Sequence, residues 1–225
     1  MFDLLFSIMK IRVFGIIALV LVSTLLVAGC DKIGSNQENS SKTNDSHLGD
    51  LGVASKTDNN SFTDPRDNQV YRTVQIGNVM WMAENLNYKR DDSWCYDNND
   101  AACANYGRLY TSGAAVMACP PGWRLPTNND WNDLLSAAGG EVAGTKLKSK
   151  DRWDGTDDFG FSALPGGYRV HSTLFDAIGN GARWWSVTNS ESGDTYTWLM
   201  SSDIEDMYEH ESDIDFASSV RCVKG

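Results

Sequence analysis

Thiols, carboxylates and flat indole faces are the side chains through which this sequence could do chemistry. Its five cysteines stand at 30, 95, 103, 119 and 222. Cys30 directly follows Val27-Ala28-Gly29, a small-residue cleavage site, and stands apart from the other four. The other four, in an exported chain, imply two disulfides among three connectivities. We expect Cys95 with Cys103, close in sequence and stapling one loop, and Cys119 with Cys222, which closes a loop of about 100 residues. Chain-entropy reasoning gives the long bridge about 4.7 kcal/mol and the short one about 2.5. A metal site is the alternative. Against it, no cysteine pair has CxxC spacing, and His47, His171 and His210 have no close His or Cys partner.

Carboxylates crowd the late segment Asp203, Glu205, Asp206, Glu209, Glu211, Asp213, Asp215. Calcium takes several hard oxygen ligands at once, and Asp203, Glu205 and Asp206 are the candidate ligands. A solvated acidic loop is the simpler reading, because the spacing is not that of an EF-hand. The aromatic set is Trp94, Trp153, Trp184, Trp185 and Trp198 with Tyr168 and Tyr196. Ring faces of this kind stack on the apolar faces of sugars, so Trp153, Trp184, Trp185, Trp198 and Tyr168 form a candidate carbohydrate platform. Core packing is the competing role, since tryptophan is usually highly buried. Neighbours on a strand face opposite ways, so one of Trp184 and Trp185 is expected to point outward.

Nothing resembles a catalytic constellation. Ser172 merely follows His171, and the adjacent Asp157 and Asp158 are expected to diverge and to hold backbone amides in a Gly-rich turn. No enzyme activity and no catalytic residue are expected. A net charge of -11 excludes nucleic acid as a partner, because nothing here could displace phosphate counterions. Loss of Lys10, Arg12 and Asp3 with the leader makes the chain more acidic by one charge.

These side chains need elements to position them. The stretch CPPGWRLPTNNDWNDLL, from Cys119 to Leu135, reads as a rigid turn, a short strand at Trp123-Arg124-Leu125 and a capped helix. Thr127 is the expected N-cap, Asp130 a carboxylate near the positive helix end, and Gly139 or Gly140 the stop. Trp131, Leu134, Leu135 and Ala138 recur at three and four and share one buried stripe. Upstream, Val70 to Ile76, the turn Gly77-Asn78 and Val79 to Met82 predict a hairpin. A polar loop carrying Cys95 and Cys103 follows, then a short helix within Thr111 to Ala118. A weaker helix is expected from Glu141 to Lys148. Ala182 to Val187, Thr195 to Ser201 and Ser218 to Val223 are strand candidates. Early helices and late short strands indicate an α+β domain.

The first 29 residues have a charged region at Lys10 and Arg12, an apolar run from Val13 to Val27, and a small-residue site before Cys30. This is similar to the lipobox of bacterial lipoproteins, with Cys30 as the acylated, palmitate-bearing residue. The MKIR at Met9 is already a complete signal start, so the true start is expected there. Several acyl chains on one cysteine suffice for stable membrane attachment. Outer membrane or cell surface is the expected address, although Asp31 after the lipid cysteine favours the inner membrane in some bacteria. Residues 30–61 are polar and read as a flexible stalk reaching about 30 Å.

With CPPGWRLPTNNDW, DDFGFSALPGGYR, WWSVT and SVRCVKG in that order, residues 62–225 resemble the Fibrobacter succinogenes major paralogous domain. The opening IGNVMWMAENLN, Ile76 to Asn87, is similar to that family's first segment. The family in turn resembles a distant branch of the C-type lectin-like fold, which includes formylglycine-generating enzymes. This implies a disulfide-stapled α+β domain with two short helices, small antiparallel sheets, paired terminal strands and a loop-rich second half. The Glu-Pro-Asn and Gln-Pro-Asp motifs of calcium-dependent lectins are absent. The formylglycine-generating branch needs a reactive cysteine pair near its C-terminal part, where only Cys222 lies. Binding of polysaccharide or of an envelope protein is therefore the expected role, with a structural envelope protein as the alternative and an enzyme of the formylglycine-generating type third. No cofactor other than calcium is considered.

Overall fold

The computed structural model describes residues 60–213 and 215–225. The leader, Cys30 and nearly all of the expected stalk lie outside the described residues. The hairpin consists of β2 (Val70–Ile76) and β3 (Val79–Met82), joined through Gly77, whose φ of +58° suits a two-residue turn. Tyr71 and Thr73 on one face of β2 and Ile76 on the other are buried, Tyr71 and Ile76 in different cores, while Val70, Arg72 and Gln75 are exposed. Here β1 (Ser61–Thr63) adds to β2, and the chain's end, β13 (Val223–Lys224), lies between β3 and β6 (Trp123–Arg124). Val223 pairs with both Trp81 and Arg124, so the first and last strands of the domain share one sheet.

Four short α-helices are present among the described residues. α1 (Asp100–Tyr106) lies within the cysteine loop, where the sequence suggests only a loop; Asn99 caps it by accepting from the amide of Ala101. α2 (Ser112–Val116) is capped by Thr111. The longest, α3 (Asn128–Ala138), starts with a capping box between Thr127 and Asp130 and ends at Gly139 in the left-handed region, φ +105°. α4 (Ala143–Leu147) follows a 3₁₀ turn at Gly140–Val142.

The second sheet is larger than the sequence suggests. Its order runs β11 (Tyr208–Ser212), β10 (Thr195–Ser201), β9 (Gly181–Asn189), β7 (Gly166–Val170), β12 (Ala217–Ser219), β5 (Leu109–Thr111), β4 (Ser93–Trp94), with β8 (Leu174–Ile178) beside β7. It is mixed rather than purely antiparallel: β9 runs parallel to β7 and to β12. Ser218 to Val223 is not one strand. It divides into β12 on this sheet and β13 on the other, and the crossing carries Arg221 and Cys222 into the interior.

Two cores flank β9. Trp184, Ala182 and the facing Trp198 and Met200 of β10 pack with Trp131 and Leu134 of α3, Trp81 and Phe161. Trp131 stacks on Trp198 with centroids 6.1 Å apart and planes 22° apart. On the other face, Trp185 packs with Tyr110, with Ala114 and Ala115 of α2, and with Cys222. Trp184 and Trp185 do face opposite ways, yet both are buried, because each face of β9 is covered at that point.

Candidate functional site

Register across the large sheet builds one open row of side chains. Arg183 on β9 lies opposite Leu199 on β10, and Leu199 lies opposite Tyr208 on β11. Strand neighbours in register point to the same face, so these three side chains stand side by side. Tyr168 of β7 completes the row, with the Arg183 guanidinium 4.4 Å from its ring centroid and 5.2 Å from that of Phe216. Tyr168 is half-buried, while Tyr208 is 40% exposed and the nearby Ile204 38%. A shallow cleft of about 220 Å³ runs between the two tyrosines, with Asn180, Ser201 and Leu199 also on its walls.

The row is held by a half-buried cation. Burial lowers the Arg183 pKa from its ordinary value, and the phenols of Tyr168 and Tyr208 and the carboxylate of Asp176 offset part of that. Its Nη1 donates to Ser212 Oγ at 3.4 Å, while its buried Nε has no hydrogen-bond partner in the protein. Its aromatic neighbours supply a favourable, weakly hydrating contact to the guanidinium face. Burial and Arg183 also lower the pKa of the adjacent His210. The cleft thus offers two phenol rings and neutral polar groups to a ligand, with the Arg183 guanidinium packed against Tyr168 rather than on the cleft wall.

The tryptophan platform is not assembled. Trp153, Trp184, Trp185 and Trp198 are at most 5% exposed. Each uses its indole N–H inside the fold: Trp153 to Ser202 Oγ at 3.0 Å, Trp184 to Asn85 Oδ1 at 2.8 Å, Trp185 to the carbonyl of Tyr110 at 2.6 Å, Trp198 to Asn128 Oδ1 at 3.1 Å. They are core residues, and of the expected platform only Tyr168 lines the open cleft.

The calcium ligands are not brought together either. Among the described residues no three His, Cys, Asp or Glu side chains converge as a metal-binding group. Asp206 accepts from the amide of Met207, turning its carboxylate to the backbone. Asp203 and Glu205 instead line a cleft with Lys148, whose buried ammonium donates to the carbonyls of Ser201 and Ile204 at 2.5 and 2.6 Å. Part of the acidic run, Tyr208–Ser212, is strand β11 rather than loop.

Both disulfides join the pairs read from the spacing. Cys95 and Cys103 have Cα atoms 4.9 Å apart, and Cys119 and Cys222 5.8 Å apart. Asp157 binds the Ser162 amide at 2.7 Å and its hydroxyl at 2.6 Å, the amide-holding role expected of it.

Sequence reasoning misses a buried hub at Asn85. Its Oδ1 accepts from Trp184 Nε1 and from Arg221 Nε and Nη2, the latter at 3.3 and 3.2 Å. Its Nδ2 donates to the carbonyl of Tyr106 at 2.8 Å. Arg221, fully buried, also donates to the carbonyls of Phe161 and Ser162 and sits 4.0 Å from the Phe161 ring. Segments 76–87, 157–169, 184–188 and 219–225 are therefore joined through two side chains, Asn85 to Trp184 and Arg221, and Arg221 to Phe161 and Ser162. An Asn flanked by Glu84 and Leu86 carries no local sign of this; only the coincidence of four motifs in one chain hints at it.

No curated protein and no solved structure matches the chain. Residues 74–224 match the family model described as the Fibrobacter succinogenes major domain, nearly all of the described part. The chain belongs to the Fibrobacter succinogenes major domain family.

Proposed function

We propose that this protein is an exported envelope lipoprotein whose C-type lectin-like domain binds polysaccharide at the cleft between Tyr168 and Tyr208. The lipobox around Cys30 supports export and lipid attachment, and the outer membrane or cell surface is the address proposed. The two disulfides are in keeping with an oxidising compartment. Terminal strands paired in one sheet, with a second sheet carrying the late strands, support the lectin-like relation. The lipobox is the ground on which attachment is assigned to the lipid; no helix among the described residues is long and apolar enough to cross a membrane. A single observation carries the binding reading: two partly open phenol rings stand in one row with a guanidinium and neutral polar groups. Rings supply stacking on sugar faces, and the polar groups fix orientation. No covalent step and no metal are assigned to the site.

An envelope protein is the second reading, favoured by the apolar end of α2, where Val116 and the following Met117 are 54% and 66% exposed. Depletion binding of the chain from Asp31 onward to cellulose, xylan and pectin, with calcium and with chelator, separates the two. Retention on one polymer is expected, indifferent to chelator. Tyr208→Ala is expected to weaken it about tenfold, the order of one lost stacking contact. Absence of retention on all three polymers would sink the glycan reading in favour of the partner protein.

A further inference from the structure

The Cys95–Cys103 bridge differs from Cys119–Cys222 in its electrostatic surroundings. Arg108 Nη1 lies 3.4 Å from Cys95 Sγ and 3.4 Å from Cys103 Sγ. The guanidinium is held there from its other side, with Nε donating to Ser93 Oγ at 3.0 Å and Nη2 to the Ser93 carbonyl at 2.9 Å. A neutral disulfide gains little from such a donor. A thiolate gains a charge-assisted hydrogen bond, so the cation favours the reduced pair over the bridge. One carboxylate opposes it: Asp100 Oδ1 is 3.7 Å from Cys95 Sγ, farther than Arg108 and next to one sulfur only. Cys119–Cys222 lies in the core beside Trp185 and Tyr110, and among the described residues no cation bonds to its sulfurs.

The bridge is nearly closed to water, with Cys95 5% and Cys103 6% exposed, but on the Cys103 side it borders a cleft. Cys103 lines a polar cleft of about 260 Å³ together with Gln69, Asn87 and Asn105. A larger cleft of about 480 Å³ adjoins it, sharing Glu84, Ala104, Asn105 and Leu164. α1, which the bridge ties down, supplies Ala104 and Asn105 to both.

We propose that Cys95–Cys103 is a thiol-exchange site, reached by small thiols from the polar cleft that borders Cys103 and activated by Arg108, and that its reduction releases α1 from the groove. In the first step a small thiolate gives its electron pair to Cys103 Sγ, forming a mixed disulfide. The bond pair of the old bridge leaves on Cys95 Sγ, beside Arg108. A second thiolate then attacks the small-molecule sulfur, releases the oxidised small disulfide and leaves Cys103 as thiolate. Two small thiols are oxidised and the protein gains two electrons; each cysteine takes a proton from water according to the pH. Leaving thiols of lowered pKa depart faster, so the cation acts on rate as well as on equilibrium.

The test uses the chain from Asp31 onward, equilibrated in graded reduced and oxidised glutathione, trapped by alkylation and read by peptide mass mapping. Cys95–Cys103 is expected to open at a reduced-to-oxidised ratio at least tenfold below that which opens Cys119–Cys222. Arg108→Gln is expected to move the first midpoint about tenfold toward more reducing conditions, about 30 mV, and to leave the second in place. Equal midpoints, or an Arg108→Gln midpoint unchanged from the parent, would overturn the proposal. Should the variant not fold, the rate of alkylation of the reduced parent against pH decides. A midpoint below the ordinary thiol value of about 8.5 supports it, and one at or above that value rejects it.

Discussion

Asn85 receives three donors on one oxygen, two of them from a guanidinium with no carboxylate within ion-pair distance among the described residues. Burial lowers the Arg221 pKa to about 9, still high enough to keep the charge at neutral pH. A buried cation satisfied only by neutral oxygens is sensitive to losing any of them, whereas removing the cation itself also removes the desolvation cost. Asn85→Ala is therefore expected to destabilise the domain by about 3–5 kcal/mol. Arg221→Met is expected to cost less. Urea unfolding with unchanged m-values checks both, and the reverse order of the two variants would show that Arg221 does not depend on Asn85. The same logic explains the tryptophans. An indole N–H with an internal acceptor makes burial cheap, and Trp184 finds that acceptor at the hub.

At the scale of elements, α3 is secured from its first turn. Arg124 of β6 donates to both oxygens of Asp130 at 2.7 and 2.9 Å, and Thr127 donates its amide at 2.7 Å and its hydroxyl at 2.6 Å. Burial acts to raise the Asp130 pKa, but these donors outweigh it and hold the carboxyl at about 2. In the unfolded chain an aspartate titrates near 3.9, by model-peptide values. The stabilisation is thus fully present above about pH 4 and is lost as pH falls toward 2. Because Arg124 is half open to water, about 1–2 kcal/mol is the expected size. Asp130→Asn should lower stability by that amount at pH 7 and by nearly nothing at pH 2, as read from thermal melts. A loss equal at both pH values would assign the effect to packing instead. This matters for the candidate site, because α3 packs beneath Trp198 on β10, the strand that carries Leu199.

For the molecule as a whole, Cys119–Cys222 ties the turn before β6 to the segment between the two sheets, across 103 residues of sequence. Cys222→Ser should cost about 4–5 kcal/mol, more than the loss of the shorter bridge, by the loop-closure argument. A melting temperature equal to that of the parent would refute that role. The sequence alone determines what is local. Alternation and a Gly-Asn turn define the first hairpin, a capping box and a terminal glycine define α3, and the spacing of four thiols yields the two pairs. Each depends on residues near one another, or on a small number of combinations. Tertiary structure decides the rest. Whether the outward face of a strand meets water depends on what the remainder of the chain lays over it. Trp185 is buried because α2 covers the second face of β9, whereas Tyr168 and Tyr208 on neighbouring strands of the same sheet stay partly open. The splitting of Ser218 to Val223 between two sheets, the strand inside the acidic run and the joining of four motifs through Asn85 and Arg221 have the same cause. They arise from pairings between residues far apart in sequence, which no local period or cap encodes.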